Sequence, residues 1–126
     1  ACPKGYEPND LVINKAKKLY KNKHLLKITH DPFTAAQGAN VLYTDVWSSM
    51  GEENQKEKKD KDFKGFTIDQ NLVGNAAKDV IVLHCLPAYR SKEITDEVIE
   101  SKKSRVFNQA ENRMHAQQAL LASILY

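Results

Sequence analysis

At 126 residues, 41% of them apolar, the chain is long enough for one modest domain with a core of its own. A net charge of +3 and a pI near 8.8 are too mild for a nucleic-acid surface, and the lysines of "NKAKKLYKNKHLLK" read as a solvated helix face without the aromatic interleaving that RNA binding favours. No run approaches a membrane span and "ACPKGYEP" holds neither a basic nor an apolar signal region, so a reducing, cytoplasmic setting is expected.

The chain opens without a methionine, and "ACPKGY" reads as the exit of a strand into a loop, so a partial domain is expected. Asn9 or Asp10 can cap a first helix with Val12, Ala16, Leu19 and Tyr20 on one face. "HLLKITH" reads as a strand. Asp31-Pro32 then starts a helix, "FTAAQ", that stops at Gly38. "NVLYTDV" is the next strand. Residues 52–64 hold five lysines against five acids, a charge-balanced helix or a lid. "TIDQNLVGNAA" predicts a helix, "DVIVLHC" a strand, "ITDEVIES" a helix and "SRVFNQ" a last strand. The final helix, "AENRMHAQQALLASILY", carries a stripe of Met114, Leu121, Ile124 and Leu125.

Strand–helix alternation with largely apolar strands predicts an α/β fold: a Rossmann-like, doubly wound parallel sheet flanked by helices and buried on both faces. Ligands of such sheets bind beyond the carboxyl ends of the strands. Asp45 and Cys85 stand at two such ends and are expected in one crevice. The two cysteines, Cys2 and Cys85, form no disulfide framework, and a cysteine at a strand end also serves as simple packing.

The crevice lacks several chemistries. No G-x-G-x-x-G or Walker A loop is present, the four histidines show no zinc spacing, and no G-x-S-x-G elbow appears. His84 is expected on the face of its strand opposite Cys85. What remains is a carboxylate (Asp45), a Ser-Ser-Met-Gly turn, a thiol (Cys85) and Arg113 early in the last helix. Only three arginines stand among the 19 basic residues, and the guanidinium suits a carbonyl or phosphate oxygen better than a lysine does. A carboxylate suits an ammonium group. The combination fits an amino acid meeting an oxygen-rich, anionic co-substrate.

"DVWSSMGEE" (45–53), "HCLP" (84–87) and "AENRMHAQ" (110–117), in this order, resemble the second half of the ornithine carbamoyltransferases. The resemblance covers the whole chain and implies an ornithine-binding domain over residues 1–126, incomplete at its N-terminal side. It implies transfer of a carbamoyl group from carbamoyl phosphate to the δ-amino group of L-ornithine, with no cofactor or metal, in trimers or multiples of trimers. By the same resemblance, Asp45, Ser49 and Met50 belong to the ornithine loop, with Asp45 and Ser49 at the α-amino end. Cys85 and Leu86 face the carbamoyl group and the δ-amino nucleophile. Arg113 polarises the carbamoyl carbonyl, while His84 and Pro87 shape the turn.

Each residue has a plainer alternative. Asp45 could cap its own turn, Ser49 and Met50 could be ordinary loop residues, and Arg113 could pair with Glu111. The family's phosphate-gripping Ser-x-Arg-Thr and His-Pro-x-Gln motifs are absent from these 126 residues. The competing readings are a stand-alone binding module without chemistry and a carbamoyltransferase with another amine acceptor.

Overall fold

The computed structural model describes residues 1–19, 25–49, 51 and 53–125. In chain order the elements are α1 (Asp10–Leu19), α2 (Pro32–Ala36), β1 (Val41–Thr44), a 3₁₀ turn (Glu53–Gln55) and α3 (Lys56–Asp62). There follow α4 (Gln70–Asn75), β2 (Ile81–His84), α5 (Asp96–Ile99) and α6 (Val106–Leu125).

The helix starts follow from local chemistry. The Asn9 side chain accepts from Leu11 N–H at 2.8 Å. Asp31 accepts from Phe33 and Thr34 N–H ahead of Pro32, whose missing N–H costs nothing in the first turn. Asp69 caps α4 through Leu72 N–H. Gly38, at φ +66°, turns the chain out of α2 where a side chain would be strained.

β1 and β2 pair in parallel, Val41 with Ile81 through Thr44 with His84. A parallel pair needs a crossover, and α3 and α4 lie within it. The α/β class and the parallel pairing match the expectation. The sheet is smaller than the alternation predicts: among the described residues it has two strands. "SRVFNQ" contributes one bridge, with Val82 N–H donating to the Lys103 carbonyl and Arg105 N–H to the Val82 carbonyl. From Val106 onward the chain is already helical. Residues 25–30 form no strand, although Cys2 N–H donates to the Thr29 carbonyl at 3.1 Å.

The core joins Leu42 and Val82 of the strands to Ala36, Leu72, Val73, Val98, Ile99 and Val106 of the helices. It covers one sheet face. Leu42, Val82 and His84 are buried, whereas Val41 and Tyr43 on the other face are 48% and 56% exposed. The expectation of strands buried on both faces therefore fails for β1. The predicted apolar face of α1 is not buried either: Val12 and Leu19 are exposed, and Tyr20 lies outside the described residues. The α6 stripe is helical as expected, but Met114, Leu121, Ile124 and Leu125 are exposed. The charged segment 52–64 is a helix over its described part, tied down by Tyr6, whose hydroxyl donates to Asp62 at 2.7 Å.

Candidate active site

Asp45 and Cys85 each follow the last residue of a strand. Because Thr44 pairs with His84, the next residue on each strand continues the parallel register, and side chains two apart share a face. Tyr43, Asp45, Leu83 and Cys85 therefore line one face; Leu42, Thr44, Val82 and His84 line the other. Oxygen, sulfur and nitrogen atoms of Asp45, Cys85 and His84 lie within 4.8 Å of one another.

The thiol lies beside the Asp45 carboxylate, their polar atoms within 4.8 Å. Partial burial first, and then the neighbouring Asp45 carboxylate, push the thiol above its ordinary pKa. Cys85 is therefore a protonated thiol at neutral pH. The Asp45 carboxylate accepts from Val46 N–H at 2.7 Å, so it does cap its own turn. A carboxylate has lone pairs for several donors, so this bond leaves Asp45 room for a further partner.

His84 holds the turn beneath the thiol. Its imidazole is fully buried, and its Nδ1 accepts from Leu86 N–H at 2.9 Å. Nε2 then carries the proton and donates to the Glu93 carboxylate at 3.1 Å. The same oxygen of Glu93 accepts from Tyr89 N–H at 2.6 Å. These bonds fix residues 84–89 even though Leu86 sits at φ +55°, a conformation that costs a non-glycine residue about 1 kcal/mol. The arrangement also answers whether Asp45, His84 and Cys85 fit a metal ion. Both ring nitrogens are committed, so His84 offers no lone pair, and two remaining groups are too few for a cation.

Trp47 fastens the loop after β1. Its ring stacks on Phe63 at 5.8 Å, within an aromatic group completed by Tyr6 and Phe66. On one side of the indole a groove of about 400 Å³ runs along β1 past Tyr43 and Asp45. On the other a smaller cavity, about 70 Å³, lies between Ser49, Lys56, Tyr89 and Glu93. Ser49 is exposed. Met50, expected beside it, lies outside the described residues.

Arg113 is exposed on α6. The carboxylate of Glu111, its expected partner, lies 3.6 Å from His115 Nε2. Sequence reasoning missed Tyr43 and Glu93. Tyr43 was accessible, being two residues before Asp45 on one strand face. The pairing of Glu93 with His84 depends on the fold of the intervening turn, which no local pattern encodes.

Comparison with known proteins decides the family. Residues 1–124 match the family described as "Aspartate/ornithine carbamoyltransferase, Asp/Orn binding domain". The chain belongs to this family. It is 75% identical over its full length to an ornithine carbamoyltransferase of Prochlorococcus marinus subsp. pastoris, 41% of which it covers. A solved ornithine carbamoyltransferase from Pyrococcus furiosus is 46% identical, with a TM-score of 0.85 over 95% of this chain and 39% of that one. The Gloeobacter violaceus enzyme is 42% identical with a TM-score of 0.82, covering all of this chain and 41% of that one. This member of the aspartate/ornithine carbamoyltransferase family thus spans about two fifths of the length of the relatives it matches. No helix among its described residues is long and apolar enough to cross a membrane.

Proposed function

We propose that the chain is the acceptor-binding part of a longer ornithine carbamoyltransferase, active on L-ornithine and carbamoyl phosphate in arginine metabolism. In the reaction the neutral δ-amine attacks the carbamoyl carbon. A C–N bond forms, the C–O bond to phosphate breaks with its electron pair, and the nitrogen sheds a proton, giving citrulline and phosphate.

One observation carries this reading: a carboxylate and a thiol share one face at adjacent carboxyl strand ends. The carboxylate attracts a cationic amine and the thiol, kept neutral, does not compete as nucleophile. Asp45, beside Cys85, holds the α-amino end that the family resemblance assigns to it. Ser49 and Met50 belong to the loop over the amino acid, Leu86 offers its carbonyl to the carbamoyl NH₂, and Arg113 polarises the carbamoyl oxygen. The groups that grip phosphate belong to the part of the protein outside this chain. The longer protein assembles as trimers or multiples of trimers in the cytoplasm.

The test is citrulline formation by the longer protein, with ornithine compared against aspartate and putrescine. Turnover with ornithine is expected; preference for another amine would overturn the acceptor assignment.

A further inference from the structure

One ring ties the entry of the loop after β1 to the helix that ends it. Phe63 is the C-terminal cap residue of α3, and its ring stacks on Trp47, just ahead of Ser49, at 5.8 Å and 24°. Phe63 also meets Tyr6: their centroids lie 4.8 Å apart at 70°, an edge-to-face arrangement that aromatic rings favour. Tyr6 is itself held. Its N–H donates to the carbonyl of the buried Pro3, and its hydroxyl donates to Asp62 at 2.7 Å. Lys58 Nζ donates to the Tyr6 oxygen at 3.2 Å and to Asp62 at 2.6 Å. α3 is also pinned to the turn after β2, where Lys92 Nζ lies 2.5 Å from Asp60 and Lys56 Nζ stands 5.5 Å from the Tyr89 ring centroid. Phe63 therefore offers Trp47 a platform fixed by segments far apart in the sequence.

We propose that Tyr6 and Phe63 are positioning residues for the amino-acid acceptor: Tyr6 holds Phe63, Phe63 holds Trp47, and Trp47 sets where Ser49 stands. Trp47 lies between Asp45 and Ser49 in the chain, so a shift of the indole changes the separation of the two groups proposed for the α-amino end. Trp47 and Ser49 also line the same small cavity. Tyr6 lines neither that cavity nor the groove along β1, and its influence passes through Phe63. When these contacts loosen, only a fraction of molecules hold Ser49 in place, and the apparent affinity for the acceptor falls by that fraction. Carbamoyl-phosphate binding, and turnover once the acceptor is bound, make no use of the latch. Its functional meaning rests on the proposed assignment of Ser49 to the acceptor, but the contacts from Tyr6 to Trp47 stand without it.

Two measurements on the longer protein test it: steady-state kinetics, and the fluorine resonance of Trp47 after fluorotryptophan labelling, assigned by its loss in Trp47→Phe. Tyr6→Leu should move that resonance without substrate and raise the ornithine KM about two- to tenfold, the size of one aromatic pair. kcat and the carbamoyl-phosphate KM should hold, the pattern of lost acceptor binding. Tyr6→Phe keeps the ring and loses only the hydroxyl, so it guards against a Tyr6→Leu protein that does not fold. It should move both readouts in the same direction, but less. In a Trp47→Leu background, Tyr6→Leu should add little to the ornithine KM, because its route is already cut. An unmoved resonance with an unchanged ornithine KM, in whichever Tyr6 variants fold, would overturn the proposal. So would equal loss for both substrates, the mark of a merely structural residue, or a full Tyr6→Leu effect in the Trp47→Leu protein. Failure of the unsubstituted longer protein to turn over ornithine would sink the proposed function, and the Trp47 resonance would still decide the latch.

Discussion

Asp45 and Cys85 meet because Thr44 pairs with His84: one parallel register brings a carboxylate to a thiol across the ends of two strands. The contact has a measurable consequence. Asp45 helps to hold the thiol above its ordinary pKa, so Asp45→Asn removes both a charge and an anionic acceptor. The thiol pKa should fall and alkylation of Cys85 near pH 8 should speed up by about three- to tenfold. Unchanged alkylation would mean that burial alone holds the proton.

The same shift sets a stability trend with the opposite pH logic to an acidic ion pair. A thiol whose folded pKa is raised keeps its proton in the folded state after the unfolded chain has lost it. Stability is then complete below the unfolded thiol pKa and declines as pH rises toward the folded value. Urea unfolding of the Cys2→Ser chain from neutral to alkaline pH should show this decline, and the Cys2→Ser/Cys85→Ala chain should lose that part of it.

Glu93 offers a sharper stability test because it is buried. Glu93→Ala leaves His84 Nε2–H and Tyr89 N–H without their acceptor, at a cost of about 3–5 kcal/mol. Glu93→Gln keeps one carbonyl oxygen for both donors and should cost clearly less. Denaturant midpoints of the two variants check the order. Equal losses would show that the charge, not the acceptor, holds the turn.

How much of this was legible in advance depends on how local each signal is. The caps at Asn9 and Asp31 are encoded within three residues, and both appear. The strand ends at Thr44 and His84 follow from apolar runs stopped by polar residues, and their placement of Asp45 beside Cys85 was readable from the parallel topology alone. What failed depends on partners far along the chain. "VFNQ" is β-prone by composition, yet only Ser104 finds a strand to bridge, and the backbone turns helical at Val106. "KITH" finds only Cys2, and one hydrogen bond does not make a strand. Period alone could not say that the α1 and α6 stripes would stay exposed, because burial needs a second surface.

In the longer protein, Asp45→Asn should weaken ornithine binding far more than carbamoyl-phosphate binding, since the lost charge faces an ammonium. Equal weakening in calorimetric titrations would make Asp45 a structural cap alone, through its bond to Val46 N–H. Arg113→Ala should leave binding less affected and lower kcat on the order of 10²–10³, as loss of a donor to developing negative charge does. Normal turnover would remove Arg113 from the mechanism.

The last expectation concerns the 126-residue chain by itself. Asp45, Cys85 and Leu86 stand at or beside the strand ends, and in the proposed reaction they would serve only the amine and the carbamoyl end. Holding both reactants in place can supply roughly 7–11 kcal/mol of a barrier, and only when both are held. The proposed phosphate-gripping motifs lie outside this chain. Ornithine should therefore bind weakly, and Trp47, the single tryptophan, sits on the loop where such binding would register as a change in fluorescence. No citrulline above background should form from the purified chain. Citrulline production in its hands would mean that the phosphate site has been misplaced and lies among these residues after all.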